Sequence, residues 1–253
     1  MLEVTILKTT HATEKEARKL LPYISGCDGF SVESALMSES DALLGEKNWR
    51  LFLESGMSRS RFNREFSENL VIRNPVRLGH HPIISTYISK MYDYLYTSKK
   101  PIVYLERFST EEYNRLWPMM KEGLILVSMG LAFISGGRED EGLEKCLAGY
   151  KIKNYISYVR DRQIGQRLIC AEDLLKASYP NVEFPPKIEL CVQIGFTHNP
   201  QSFSTVPASV VNLSGEERDT NLLTSVYDLI SESTVNKDKL LLLLKELAKL
   251  KVQ

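Results

Sequence analysis

Four titratable side chains stand at the ends of four segments that read as β-strands. They are His11, Glu33, Glu106 and His198. The carboxyl ends of parallel strands meet at one edge of a sheet, where the loops open onto a common crevice, so we expect these side chains to share one rim. Two imidazoles and two carboxylates suit Zn²⁺, Mn²⁺ or Co²⁺, and they equally suit acid–base catalysis without a metal. The alternative is that each residue caps a strand or a helix independently.

The strands that would position these residues are short segments enriched in β-branched and aromatic residues, with turn or helix-start residues at their ends. They lie at 3–8, 29–33, 101–106 and 187–195. Helical segments separate them, which predicts crossover connections and therefore parallel strands. The expected fold class is α/β, with a mostly parallel central sheet, flanking helices and a helical subdomain.

Helical periodicity marks the segments between the strands, at 13–21, 83–96 and 139–176. Thr13 and Glu16 form a predicted capping box at the first of them. Ser109 or Thr110, with a glutamate close behind, predicts the start of a helix after the third strand. We expect 139–176 to form one long helix or two shorter ones.

We find no internal repeat and no low-complexity linker, which favours a single α/β domain over 1–253. Helical insertions at 36–99 and 110–176 are expected to form a lid-like subdomain, interrupted at Gly136 and Gly137. Leucines recur among lysines in the tail, 236–253, in a stripe wider than a coiled-coil seam. This tail either docks on the core or forms a homodimer contact.

The composition limits the class of partner. Among 253 residues, Lys plus Arg and Asp plus Glu both number 32, so the net charge is zero and the overall field that attracts nucleic acid is missing. The longest apolar run, 123–134, is shorter than the roughly 20 residues of a membrane span. No signal-peptide pattern follows Met1, and the four cysteines lack CxxC spacing. We expect a cytoplasmic protein with reduced, buried thiols and no nucleic-acid or membrane partner.

Several short motifs together resemble one superfamily. Residues 195–198 read Gly-Phe-Thr-His, and residues 8–11 read Lys-Thr-Thr-His. They are similar to the paired Gly-x-x-His motifs of Tiki, TraB/PrgY/GumN, ChaN-like and erythromycin esterase proteins, with Lys8 in place of the first glycine. Residues 100–106 resemble the lysine-proline strand ending in glutamate of Tiki and GumN proteins, and 159–167 their arginine-led helix.

The order of these motifs agrees with that superfamily, and Glu33 matches the acid after the second strand in its esterase and TraB branches. The resemblance covers about residues 4–198 and implies a hydrolase-like pocket. His11, Glu33, Glu106 and His198 would line its floor, and Arg160 would reach in from the helical subdomain. A divalent metal would be held by His11, Glu106 and His198.

Each of these residues has a chemical role on this interpretation. A histidine or carboxylate takes a proton from water, or a metal lowers the pKa of that water towards about 7. Arg160 holds a substrate carboxylate or stabilises an oxyanion, and the alternative is an ion pair with Glu33 or Glu106. We therefore expect a hydrolase of peptide or ester bonds acting on a small molecule or peptide. The alternative is a non-catalytic ligand- or peptide-binding regulatory protein on the same scaffold.

Other signals favour structural roles. The chain has no P-loop, GxGxxG or GxSxG motif, so it lacks the residues of a nucleotide-phosphate cradle, a dinucleotide fold or a serine elbow. Five arginines between 59 and 77 predict a solvated helix face, with an anion or nucleic-acid patch as the alternative. The pair His80-His81 before Pro82 predicts a loop ahead of a helix.

Overall fold

A computed structural model describes residues 1–10, 14–33, 36–66, 82–214, 217–231 and 234–250. The strands in this part of the chain are β1 Leu2–Thr9, β2 Gly29–Val32, β3 Ile102–Val103, β4 Ile188–Gly195 and β5 Ala208–Asn212. They form one sheet in the order β3-β2-β4-β1-β5, and every neighbouring pair is parallel. The predicted α/β class, with a mostly parallel central sheet and flanking helices, is confirmed.

The helices lie between and after the strands. They are α1 Glu14–Lys19, α2 Leu21–Gly26, α3 Glu39–Ser55, α4 Arg59–Phe66, α5 Pro82–Ser98, α6 Thr110–Ser135, α7 Glu139–Leu168, α8 Ala171–Ser178, α9 Glu217–Ser231 and α10 Lys237–Leu250. The predicted helix at 13–21 is two short helices, α1 and α2. The predicted helix at 83–96 is α5, and the segment 139–176 forms α7 and α8.

Two strands differ from the sequence prediction. The third strand was expected over 101–106, but the ladder ends at Val103 because the next amide, that of Tyr104, donates to the Glu46 carboxylate at 2.8 Å. The fifth strand, β5, was not predicted. It is a half-exposed edge strand of five residues, in which two valines stand among small and polar residues and give only a weak strand pattern.

Helix ends follow local sequence chemistry. Ser109 Oγ accepts from the Glu112 amide at 3.2 Å while the Ser109 amide donates to the Glu112 carboxylate at 3.4 Å, so the predicted capping box is confirmed. The predicted break at Gly136 and Gly137 is also confirmed, since Gly137 has a φ of 80° between α6 and α7. Thr13, of the other predicted capping box, lies outside the described residues.

The chain divides into two compact units. Unit 1 is Met1–Tyr113 with Arg160–Gly215, and unit 2 is Asn114–Val159 with Glu216–Gln253. Unit 1 contains the sheet, and its buried core includes Ile6, Leu20, Ile24, Phe30, Trp49, Ile102, Leu175 and Val192. The prediction of one domain with a lid-like helical subdomain stays a prediction.

Unit 2 is helical, and the tail helix α10 contributes to its core. Leu240, Leu244 and Leu247 are buried against residues of α9 such as Val226. Core docking of the tail is therefore what the structure shows, and the homodimer stays a prediction.

In the same unit, helices α6 and α7 approach each other closely at glycines, as at Gly130.

One helix has the dimensions of a membrane span. Among the described residues, α6 is long and apolar enough to cross a membrane, and about a third of its most apolar window is buried. Core helices of soluble proteins have the same length and composition. The cytoplasmic location stays a prediction.

The four cysteines are free thiols. Cys27, Cys146 and Cys191 are buried as predicted. Cys170 is exposed, which corrects the prediction that all four are buried, because it lies in the short connection between α7 and α8.

The substitution Gly130→Ala tests the close approach of α6 and α7 within unit 2. A Cβ at Gly130 would lie 2.7 Å from the Gly142 carbonyl oxygen and 2.8 Å from the Cys146 amide nitrogen, so backbone must move. We expect a loss of about 1–3 kcal/mol in the free energy of unfolding, measured by urea titration. Gly136→Ala is the control, since its nearest atom would be an oxygen at an ordinary 3.4 Å. Equal losses in both variants would contradict this packing.

Candidate active site

The carboxyl ends of three strands deliver side chains to one buried group of charges in unit 1. Glu33 directly follows β2, Glu106 follows β3, and His198 follows β4. Helix α7 contributes Arg160 and Asp161. Hydrogen bonds connect all five side chains, which we call the charged cluster.

Arg160 joins the carboxylates of two strand ends. Its Nε donates to Glu106 Oε1 at 2.9 Å, and a terminal nitrogen donates to Glu106 Oε2 at 2.8 Å and to Glu33 Oε1 at 2.6 Å. The planar guanidinium suits this bidentate pairing with a carboxylate. The Arg160 side chain is 11% exposed and that of Glu106 is 2% exposed, so water screens the pairing little.

Glu106 is the most deeply buried acid of the charged cluster. Its Oε1 also accepts from the Leu36 amide at 3.1 Å, which ties the segment before α3 to the end of the third strand. Burial raises the pKa of Glu106 above its ordinary value, and the contact with Arg160 offsets part of that rise. Arg160 therefore favours the ionised form of Glu106, and burial favours the protonated form.

His198 lies between two carboxylates. Its Nδ1 is 2.7 Å from Asp161 Oδ1, and its Nε2 is 3.2 Å from Glu33 Oε1. Asp161 is held in turn by the Asn199 amide, which donates to its Oδ2 at 2.9 Å. Burial lowers the pKa of His198, but Glu33 and Asp161 outweigh burial and raise it to about 9. The imidazole is therefore a cation at neutral pH, and both its nitrogens donate.

The contacts around Gly195 give a physical reason for the glycine of the Gly-x-x-His motif. Its amide donates to Glu33 Oε2. A Cβ at this position would lie 3.2 Å from His198 Cδ2 and 3.3 Å from Glu33 Oε2, which is tighter than ordinary contacts. The missing side chain lets the histidine and the glutamate approach each other over the end of β4.

Uncharged side chains support the charged cluster from the strands below. Gln193 Oε1 accepts from the Glu33 amide at 3.3 Å, and its Nε2 donates to Thr9 Oγ1 at 3.0 Å. The Tyr87 hydroxyl donates to the same threonine at 3.2 Å. These bonds connect the ends of β1, β2 and β4 with α5, so the strand ends are held in a fixed register.

The structure brings together four of the five residues predicted for the site, namely Glu33, Glu106, Arg160 and His198. His11 lies outside the described residues. The alternative that Arg160 forms an ion pair with Glu33 or Glu106 is what the structure shows, and it pairs with both. The catalytic roles of these residues stay predictions.

Sequence reasoning missed Asp161. It stands directly after Arg160 in the arginine-led motif, and that position is the signal that could have found it. Its partner His198 is 37 residues away, and no local pattern connects residues at that separation. Adjacent side chains of a helix diverge by about 100°, so Arg160 and Asp161 meet different members of the charged cluster.

A second buried ion pair lies in unit 1 and was not predicted. Glu46 of α3 pairs with Arg107, and both side chains are almost fully buried. Glu46 also accepts from the Ser178 hydroxyl at 2.7 Å, and Arg107 Nε donates to the Tyr104 carbonyl at 2.6 Å. This pair fixes the segment between β3 and Glu106, so its role is structural.

The rival arginine segment is only partly described. On α4, Arg61 pairs with Glu65 and Arg59 pairs with Asp93, and the arginines are exposed. These exposed ion pairs agree with the prediction that the arginines lie on a solvated helix face. Arg73, Arg77, His80 and His81 lie outside the described residues.

The donors described in the site do not fit a metal ion in this arrangement. Both oxygens of Glu106 accept from Arg160, and both nitrogens of His198 face carboxylates and carry protons at neutral pH. Within the described ranges no group of three or more His, Cys, Asp or Glu side chains is arranged to hold a metal. The predicted set of His11, Glu106 and His198 stays a prediction, because His11 is not described.

The fold and the site define a class of architecture: an α/β unit with an all-parallel sheet and a buried charged cluster at the carboxyl ends of its strands. Comparison of the chain with family models, with curated proteins and with solved structures finds no match. The resemblance to the Tiki, TraB and erythromycin esterase superfamily therefore stays a prediction from the motifs.

Replacing Arg160 by Met tests whether the charged cluster depends on this cation. The change leaves Glu33 and Glu106 buried without the guanidinium, and breaking such pairs costs about 3–5 kcal/mol. We expect that loss in the free energy of unfolding from urea titration. Arg61→Met, which removes an exposed pair, is the control and costs less than about 1 kcal/mol. A loss no larger than that of Arg61→Met would argue against the dependence.

The raised pKa of His198 makes the stability of the protein pH-dependent. The folded pKa of about 9 lies above the ordinary 6.5. The contribution is therefore complete below about pH 6.5 and is lost as pH rises through about 9, with a magnitude of up to about 3 kcal/mol. We expect the difference in unfolding free energy between wild type and His198→Asn to shrink from about pH 6 to about pH 9.5. A difference that does not change with pH would show that folding does not raise the pKa of His198.

Proposed function

We propose that this protein is a hydrolase of peptide or ester bonds, with its site at the carboxyl ends of the sheet strands. The observation that carries the proposal is His198 held between Glu33 and Asp161, beside the Arg160–Glu106 pair. Groups with strongly perturbed pKa values and convergent charges are typical of catalytic sites. The motif resemblance described above supports the same reaction class.

The charge states suggest which group takes and which group gives the proton. Glu33 is held as a carboxylate by Arg160 and by the Gly195 amide, so it is the base that removes a proton from water. His198 is protonated at neutral pH, so it is the acid that donates a proton to the leaving oxygen or nitrogen. The hydroxide adds to the carbonyl carbon, and the bond to the leaving group then breaks.

Arg160 and Asp161 complete this assignment. The Arg160 guanidinium supplies a fixed positive charge next to Glu33, which stabilises the oxyanion that forms at the carbonyl oxygen. Asp161 accepts from His198 Nδ1 and orients the ring so that its Nε2 faces Glu33. The substrate is a small molecule or a peptide. A divalent metal remains part of the proposal only if His11 is one of its ligands, and none of the steps above involves a metal.

A second candidate is a ligand-binding protein without turnover. The observation that favours it is the deep burial of the groups that would react, since the side chain of His198 is 4% exposed and that of Glu33 is 8% exposed. Such closely paired charges can instead maintain the shape of a binding pocket. Cytoplasmic location, with no nucleic-acid or membrane partner, is proposed for either function.

Hydrolysis of p-nitrophenyl esters and peptide p-nitroanilides decides between the two candidates. We expect turnover by the wild type, and a fall in kcat of roughly 10²–10⁴-fold in Glu33→Gln, because the amide cannot accept the proton from water. Glu189→Gln is the matched control, since it makes the same change at an exposed site near the amino end of β4. Adding EDTA or Mn²⁺ to parallel assays tests metal dependence.

Each result of this assay has a definite meaning. Turnover that survives in Glu189→Gln and is lost in Glu33→Gln, with unchanged melting temperatures, supports the hydrolase. Turnover that is equal in wild type and Glu33→Gln would exclude Glu33 as the base. Absence of turnover over the whole substrate panel would reject the hydrolase and leave the binding protein.

A further inference from the structure

Lys8 is the position at which this chain departs from the motif that it resembles. It lies one residue before the end of β1, in register with Ile194 of β4 and Asn212 of β5. The following pair in that register is Thr9 with Gly195, whose amide bonds to Glu33. The lysine therefore stands at the sheet edge that carries the charged cluster.

The exposure of the side chains divides this edge into a floor and a rim. The side chains of Glu106, Arg160 and His198 are at most 11% exposed, and they form the floor. Lys8 and Thr10 are half-buried at the end of β1, which lies between β4 and the edge strand β5, and they belong to the rim. A group that enters from solvent reaches the rim before the floor.

The Lys8 ammonium is poorly compensated by the side chains that the structure describes. Burial lowers the pKa of Lys8, and the attraction of Asp161 offsets only part of that effect. Asp161 already bonds to His198 and to the Asn199 amide, and no acid in the described part of the chain lies within ion-pair distance of Lys8. A bound anion would restore the solvation that the ammonium has lost.

A second donor lies beside Lys8. Residues paired in a parallel register project from the same face of the sheet, which places Asn212 next to the lysine. Asn212 Oδ1 accepts from the Ser214 amide at 3.0 Å and from its hydroxyl, so the amide NH₂ is the part of the side chain left to donate. An ammonium and an amide NH₂ carried by paired residues on one face of the sheet can each donate to one oxygen of a carboxylate, and the single positive charge of Lys8 matches its single negative charge.

We propose that Lys8, with Asn212, binds a carboxylate of the substrate, so that the preferred substrates are anionic esters or peptides whose carboxylate lies away from the bond that is cleaved. This inference rests on the proposed function only in treating the bound molecule as a substrate. The binding site itself does not depend on turnover. It assigns to Lys8 a role that glycine at this position cannot have.

Two ligands of nearly equal shape test the proposal without any need for turnover. Monomethyl succinate carries one carboxylate, and dimethyl succinate carries none. We measure the Kd of each by isothermal titration calorimetry at constant ionic strength, with wild type, Lys8→Met, Lys8→Arg and Lys187→Met. Lys187 is the matched control because it is an exposed lysine before the amino end of β4, paired with Glu3.

We expect wild type to bind the monoanion at least about tenfold more tightly than the neutral diester, the scale of one charge-assisted hydrogen bond. Lys8→Met abolishes this preference, whereas Lys8→Arg and Lys187→Met keep it. A wild type that binds neither ligand, that binds both equally, or that keeps the preference in Lys8→Met would overturn the proposal. Melting temperatures confirm that the variants are folded.

The same proteins separate this proposal from the proposed function. Hydrolysis of mono-p-nitrophenyl succinate and of p-nitrophenyl butyrate is followed in parallel. Anion preference without hydrolysis of either ester rejects the hydrolase and keeps Lys8 as a carboxylate-binding residue. If both esters are hydrolysed at rates that do not change in Lys8→Met, the proposed hydrolase function is supported and the proposal that Lys8 binds a substrate carboxylate is rejected.

Discussion

The charged cluster depends on a single guanidinium that bonds to two acids from different strand ends. Arg160 reaches Glu33 after β2 and Glu106 after β3, and both acids are largely buried. Two carboxylates buried this close together would repel each other and take up protons. The arginine offsets part of that penalty, and it also ties the part of helix α7 that carries it to the edge of the sheet. The same helix positions the side chain of Asp161, the residue after Arg160.

Glu33 connects the rest of the cluster to this pairing. It accepts from Arg160, from the Gly195 amide and from His198. One carboxylate thereby unites the ends of β2 and β4 with α7, and its charge helps to keep His198 protonated. The imidazole and the carboxylate lie in direct contact with side chains 4% and 8% exposed, and at such buried positions electrostatic interactions are strong. Lys8 adds a positive charge at the more exposed margin of the same edge.

Much of the scaffold follows from local sequence. The β-branched and aromatic residues of 3–8 and 187–195, with the turn or helix-start residues at their ends, predict β1 and β4, because these properties act within one strand. The capping residues Ser109 and Glu112 predict the start of α6 for the same reason. Glu33, Glu106 and His198 could be named because the carboxyl ends of parallel strands share one edge. The edge strand β5 gave only a weak local signal, because it has just five residues.

Sequence by itself determined the α/β class and the sheet edge at which acids and histidine gather, and the motif resemblance added Arg160 as a candidate site residue. Tertiary structure alone decided that Arg160 bonds to both acids at once, that Asp161 belongs to the cluster, and that His198 is a cation. It also decided that Glu46 and Arg107 form a separate structural pair. The physical reason is that pairing and pKa depend on burial and on charges a few ångströms away, which residues far apart in the chain supply only after the sheet has formed.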